Sequence, residues 1–243
     1  MALLEVDGVT KRFGGVVALD GVSLGIDEGE LVAIIGPNGS GKTTLFNVIN
    51  GVLAPDSGRI LFEGRDITRE PPYRRVEMGI ARTFQIPRPW GSLSVRENVA
   101  VGAIFGRGRL GVWEALRRAD EVLELVGLHD KRHEAAHRLT VPEKKLLELA
   151  RSIAMEPRVL LLDEIVAGMS PRDVERVVGV VRRVRDELGI SVVSMVEHVM
   201  RAVKLFAERV IVLHQGRVLA EGPPGEVLRD KRVVEIYLGS LEV

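Results

Sequence analysis

Three glycines, a lysine and two hydroxyl side chains crowd the stretch Gly36-Pro37-Asn38-Gly39-Ser40-Gly41-Lys42-Thr43, whose spacing is G-x-x-x-x-G-K-[ST] at every fixed position. Glycines at these places let backbone N–H groups turn toward phosphate oxygens with no Cβ in the way. Lys42 is expected to reach the β- and γ-phosphates of a nucleoside triphosphate, and the Thr43 hydroxyl to ligate Mg²⁺. The expected nucleotide contacts are therefore Gly36, Pro37, Asn38, Gly39, Ser40, Gly41, Lys42, Thr43 and the adjoining Thr44. A second element, Val159-Leu160-Leu161-Leu162-Asp163-Glu164, is an apolar run ending in two carboxylates. Asp163 is expected to hold Mg²⁺ through water, and Glu164, pointing the other way along the strand, to orient or deprotonate an attacking water. Alone, one feature would be a glycine-rich turn and the other two acids at a strand end. Together they describe a triphosphate site.

Such a loop must join a strand to a helix, so that the positive end of the helix faces the phosphates. Glu30–Ile35 is a short, nearly continuous apolar run ending at Gly36, as expected of a strand buried on both faces of a parallel sheet. Residues 43–52 then follow helical spacing. Strand patterns also cover residues 3–9, 17–26, 58–64, 158–163, 190–196 and 209–213. Helical ones cover 94–104, 112–126, 171–187 and 200–207, and Ser170 with Pro171 is a natural helix start. Strands alternating with helices predict an α/β fold. The stretch 85–154 has a different texture, with Pro87, Pro89 and Gly91 opening a helical block. It is expected to be a helical insertion, flanked by an α/β core of residues 1–84 and 155–243.

Composition narrows the class. Apolar residues make up 46% of the 243, enough for a sizeable core, and the formal net charge of zero argues against a nucleic-acid binder. With no cysteine, disulfides, thiolate metal sites and cysteine nucleophiles are excluded. No apolar run reaches the ~18–20 residues that span a bilayer. A soluble, cytoplasmic protein is expected, reaching any membrane through a partner that spans it.

Phosphate loops serve GTPases and small-molecule kinases too, so four further features decide. Gln85 follows the strand-like Ala81-Arg82-Thr83-Phe84; a helix begins near Thr140 shortly before the acidic strand; Ala167-Gly168-Met169-Ser170-Pro171 follows Glu164; and Val196-Glu197-His198 ends the next strand. In order and spacing these resemble the ATP-binding-cassette (ABC) ATPases along essentially the whole chain. The resemblance implies a P-loop NTPase of RecA-like fold, with an antiparallel β subdomain and the helical insertion. It implies ATP and Mg²⁺ as ligands, and two cassettes paired head to tail with each ATP between one phosphate loop and the other signature. It makes Gln85 the sensor of Mg²⁺ and attacking water, His198 the γ-phosphate switch, Phe13 the aromatic on adenine, and Ser170 part of the loop crossing the dimer interface. Taken singly, these four would be a surface glutamine, a structural histidine, a core aromatic and a helix cap.

The stretches Gly79–Gln85 and Ser94–Val99, with Lys11-Arg12-Phe13-Gly14-Gly15 and Tyr237-Leu238-Gly239, are similar to one of the two ATPase subunits of branched-chain amino-acid importers. That group implies a different second cassette, two transmembrane permeases and an external solute-binding protein, with the chain peripheral on the inner membrane face. Urea, amide and lipopolysaccharide transporters use close relatives. One departure stands out. Where the family has Leu-Ser-Gly-Gly-Gln, this chain has Leu139-Thr140-Val141-Pro142-Glu143. Thr140 keeps a hydroxyl, both glycines are gone, Pro142 offers no N–H, and Glu143 adds negative charge. Thr140-x-x-Glu143 also reads as a capping box, so the helix start is locally well specified while the phosphate contact is weakened. Unequal composite sites are the expectation. A low-activity regulatory cassette and a non-transport ABC ATPase are the alternatives. His129, His133 and His137 would share a face, and so offer a metal site, only on one continuous helix; a polar surface segment is the expectation.

Overall fold

The computed structural model describes residues 2–195 and 200–238. The chain forms two compact units, one from Met1–Pro72 with Ser191–Val243, the other Tyr73–Ile190.

The first unit opens with β1 (Leu4–Phe13), β2 (Val16–Ile26), β3 (Leu31–Ile35), α1 (Lys42–Ile49), β4 (Ser57–Phe62) and β5 (Arg65–Asp66). Strands β2-β1-β4-β5 form an antiparallel sheet in that order. β1 alternates toward one covered face, with Leu4, Val6 and Val9 buried. β3 is different: all five residues are buried, as its unbroken apolar sequence requires. Helix α1 packs Leu45, Phe46, Val48 and Ile49 into the core, each burial worth about 1.5–3 kcal/mol.

The second unit holds α2 (Pro72–Met78), β6 (Ile80–Arg82), α3 (Val95–Phe105), α4 (Val112–Val126), α5 (Val141–Ala154), β7 (Val159–Asp163) and α6 (Pro171–Leu188). β6 and β7 pair in parallel, Ile80 with Val159 through Arg82 with Leu161. The motif Ser94-Val95-Arg96-Glu97-Asn98 has a local cause. Ser94 and Glu97 make a reciprocal capping box, while buried Asn98 accepts from the Trp90 N–H and donates to the carbonyls of Trp90 and Ser94. It staples the proline-containing connection to the helix it starts. In α6, Val174, Val177, Val178, Val181 and Val184 form one buried stripe at helical spacing. Ser170 caps this helix as expected, accepting from the Asp173 N–H at 3.3 Å.

The chain returns to the first unit with β8 (Ser191–Met195), α7 (Met200–Phe206), β9 (Arg209–His214), β10 (Arg217–Gly222), α8 (Pro224–Val227) and α9 (Lys231–Leu238). Within that unit the second sheet runs β10-β9-β3-β8, parallel except at the edge strand β10. The parallel strands are buried and β3 is central, so the loop leaving β3 emerges among strand C-termini, where open α/β sheets bind ligands. Among the described residues no helix is long and apolar enough to cross a membrane. The three histidines of residues 129–137 do not share a helix. Two short 3₁₀ turns, His129–Lys131 and Ala136–Arg138, divide the segment, and His137 bonds the Gly91 carbonyl through Nδ1 at 3.0 Å. No cluster of metal-ligating side chains occurs among the described residues.

Candidate functional site

The phosphate loop lies in the first unit, between β3 and α1. Gly36 has φ +154°, and a Cβ there would lie 2.1 Å from the Leu213 carbonyl oxygen on β9. Gly41, at φ +106°, caps α1 and runs against the Ala18 carbonyl, 2.5 Å from where a Cβ would be. Close backbone packing thus explains both glycines. The N-cap Gly41 has no side chain to cap α1, and the positive end of this helix is directed at the loop, as an anion site requires. Lys42 is 3% exposed, and its ammonium donates to the carbonyls of Gly36 at 2.8 Å and Pro37 at 3.1 Å. Its charge is held over the loop by the loop's own oxygens. Thr43 is exposed on the first turn and Thr44 half-buried. A cavity of about 250 Å³ is lined by Gly39–Thr44 together with Val16, Val17 and the half-exposed Phe13.

The carboxylates lie in the second unit, at the C-terminus of β7. Asp163 is 5% exposed, and its Oδ2 accepts from Arg82 Nη2 at 2.6 Å. Its backbone N–H donates to Thr83 Oγ1 at 3.1 Å. Glu164 leaves the strand with φ +45°. Glu164 therefore sits on a backbone turn just past the strand, and does not continue the strand alternation expected from sequence. Such a conformation costs a non-glycine residue about 1–2 kcal/mol and clusters where function requires it. Gln85, 79 residues away, donates through Nε2 to Glu164 Oε2 at 2.7 Å. Asp163, Glu164 and Gln85 are thus brought together.

Sequence reasoning missed the supports around them. Arg82 passed as a strand residue, though an arginine inside an apolar strand is itself a signal of a buried partner. On α5, Glu148 binds Arg151 at 2.7 Å and accepts from the backbone N–H groups of Phe84 and Arg88, and desolvation pushes its carboxyl above the ordinary range. Arg151 stacks on Trp90, 4.8 Å from the ring centre. Lys145 donates to the Ala167 carbonyl at 2.6 Å, tying α5 to the chain after Glu164, and burial pushes its ammonium below the ordinary range.

At the start of α5 the expected capping pair forms. Glu143 takes both the backbone N–H and the hydroxyl of Thr140, each at 2.9 Å. Lys131 adds an ammonium at 2.7 Å, and this bond holds the Glu143 carboxyl below the ordinary range. The added charge is thereby paired, and the Thr140 hydroxyl is occupied. Val141 is exposed and Pro142 lies in the first turn. Ser170 Oγ donates to the Asp173 carboxylate at 2.6 Å. His198 lies outside the described residues.

In the second unit the Asp163 carboxylate suits a hard cation such as Mg²⁺, and in the first a glycine cradle before a helix N-terminus suits a polyphosphate. By fold and loop geometry the chain is therefore a P-loop nucleotide-binding protein. Comparison narrows the class: the family described as ABC transporter matches residues 19–167, and the chain belongs to that family. A second family, described as the branched-chain amino acid ATP-binding cassette transporter, matches residues 217–242. The chain is 34% identical to a protein named as a probable branched-chain amino acid transport ATP-binding protein, LivG, of Archaeoglobus fulgidus, over 99% of this chain and 96% of that one. It is also 34% identical to the high-affinity branched-chain amino acid transport ATP-binding protein BraF of Pseudomonas aeruginosa, over 98% of each. Among solved structures, an ATP-binding cassette of an ABC transporter in its ADP conformation is similar at a TM-score of 0.88 and 34% identity, covering 98% of this chain and 99% of that one.

Proposed function

We propose that the chain is the ATP-hydrolysing motor subunit of an importer for branched-chain amino acids or related amides, working through two permeases on the inner face of the membrane. The observation that carries the hydrolytic reading is the Gln85–Glu164 hydrogen bond of 2.7 Å beside Asp163. It joins a residue able to orient water to one able to take its proton. Lys42 and the α1 N-terminus balance the phosphate charge, and Phe13 offers a face to the base. In-line attack on a γ-phosphate needs positioning and charge stabilisation above all, which these groups supply. Thr43 on the phosphate loop would ligate Mg²⁺ and Asp163 on β7 would hold it through water, and the ion would supply positive charge against the phosphates. The substrate assignment rests on the named relatives, since a cassette does not touch the transported solute. Phe84, Ile86 and Trp90, about half or more exposed around Gln85, support a permease contact on the 85–101 segment.

A second reading is favoured by one observation, the Thr140 hydroxyl held by Glu143. A signature so occupied contacts a partner's ATP poorly, which fits a heterodimer with one weak composite site. The main reading is tested with Glu164→Gln. ATP binding should persist, steady-state turnover should fall by about 100-fold or more, and nucleotide-trapped dimers should elute early on a sizing column. Normal turnover in that protein would remove Glu164 from the catalytic role.

A further inference from the structure

We infer that Arg82 is a positioning residue that tunes Asp163 to take a divalent cation only in company with nucleotide phosphates. The inference rests on Asp163 being the metal-holding carboxylate proposed above. Both partners are buried, with 5% and 7% of their side chains exposed, and the Arg82 Nη2–Asp163 Oδ2 contact is 2.6 Å. A buried carboxylate without a partner would be a strong trap for any cation. Arg82 answers this by pairing with it, and by holding Oδ2 it fixes the rotamer that presents Oδ1, since a carboxylate has acceptor capacity at two oxygens.

The same guanidinium sets a positive charge a few ångströms from any ion on Oδ1, and at that range in a partly dry site the repulsion is strong. Free divalent metal therefore binds weakly. A triphosphate brings enough negative charge to outweigh Arg82, so metal is accepted with its nucleotide. Arg82 is itself well supported. Its guanidinium lies 5.5 Å from the centre of the Phe84 ring, and its carbonyl accepts from Ser152 Oγ on α5 at 3.2 Å. Thr83, the next residue, holds the Asp163 backbone. The pair thus joins the metal carboxylate to the segment that ends in Gln85.

Mn²⁺ binding, read by electron paramagnetic resonance with and without ATP, tests this on the full chain. Arg82→Gln should bind free Mn²⁺ on the order of tenfold more tightly than the parent, while ATP affinity in EDTA stays unchanged. Arg82→Lys keeps the charge and should leave free Mn²⁺ binding weak. Unchanged free Mn²⁺ affinity in Arg82→Gln overturns the proposal. Should that variant not fold, as judged by circular dichroism, Arg82→Lys carries the test, and tenfold tighter free Mn²⁺ binding there overturns it. Asp163→Asn separates the underlying reading: if it leaves Mn²⁺–ATP affinity unaltered, Asp163 is not the metal-holding residue. Weakened Mn²⁺–ATP binding in Asp163→Asn beside an unchanged Arg82→Gln defeats the Arg82 inference alone.

Discussion

A methyl group at Gly36 would meet the Leu213 carbonyl oxygen at 2.1 Å and the Ser40 hydroxyl at 2.7 Å. Neither is the loose end of a long side chain, so the strand or the loop must move. Gly36→Ala is expected to cost about 2–3 kcal/mol in urea unfolding and to abolish ATP binding, since the displaced atoms include the Lys42 acceptors. Retained stability with normal ATP affinity would show that the cradle tolerates the shift. The loop, Asp163 and Glu164 were legible as candidates from residue type and spacing, and Gln85 only through the family resemblance. Arg82 was not, because its partner lies 81 residues away and a three-residue strand gives little periodicity to violate.

Helix α5 carries two glutamates whose proton affinities move in opposite directions, five residues apart. The Lys131 ammonium lowers Glu143 below its ordinary 4.5, with desolvation opposing, whereas desolvation raises Glu148, with Arg151 opposing. The signs follow from linkage. Glu143 contributes stability that is present above its unfolded value and lost as pH falls through its lower folded value. Glu148 binds its proton more tightly when folded, so its contribution is full at low pH and lost as pH rises through its higher folded value. Urea midpoints between about pH 3 and pH 7.5 should therefore diverge. Relative to the parent, Glu148→Gln should improve as pH rises above about 4.5, while Glu143→Gln should worsen as pH rises toward about 4.5 and stay level above it. Parallel pH profiles for the two variants would contradict the assignment. The capping box here was visible in Thr140-x-x-Glu143, but Lys131 was not, because a 3₁₀ turn rather than a regular element delivers it.

At the scale of the whole chain, the phosphate loop falls on one compact unit and the carboxylates with Gln85 on the other. On the proposed reading, a partner's signature completes this chain's phosphate loop, and this chain's own altered Thr140–Glu143 segment serves the partner's nucleotide. Purified alone, the chain should show weak, non-cooperative ATPase activity. Adding the second cassette of the proposed heterodimer should raise turnover about tenfold or more, because oriented groups at a shared site act together. Robust cooperative activity from the chain alone, unchanged by Thr140→Ala, would argue for a symmetric homodimer with a working signature. The assay also separates the motor reading from the low-activity one.

The sequence alone determined the ligand class and the fold class. Phosphate recognition is written in contiguous residues, where glycine, lysine and threonine must stand at fixed offsets, and burial on both faces leaves unbroken apolar runs such as Leu31–Ile35. It also marked the helix starts at Thr140 and Ser170, because caps are local. It did not show the edge strand β10 or the short helices α2, α8 and α9, whose few residues carry too little pattern. Tertiary structure decided how charge is balanced: Arg82 on Asp163, Lys131 on Glu143, Glu148 against the backbone of residues 84–88. Such pairs join residues distant in the chain, and their energy depends on burial and on separations of a few ångströms, which no local spacing encodes.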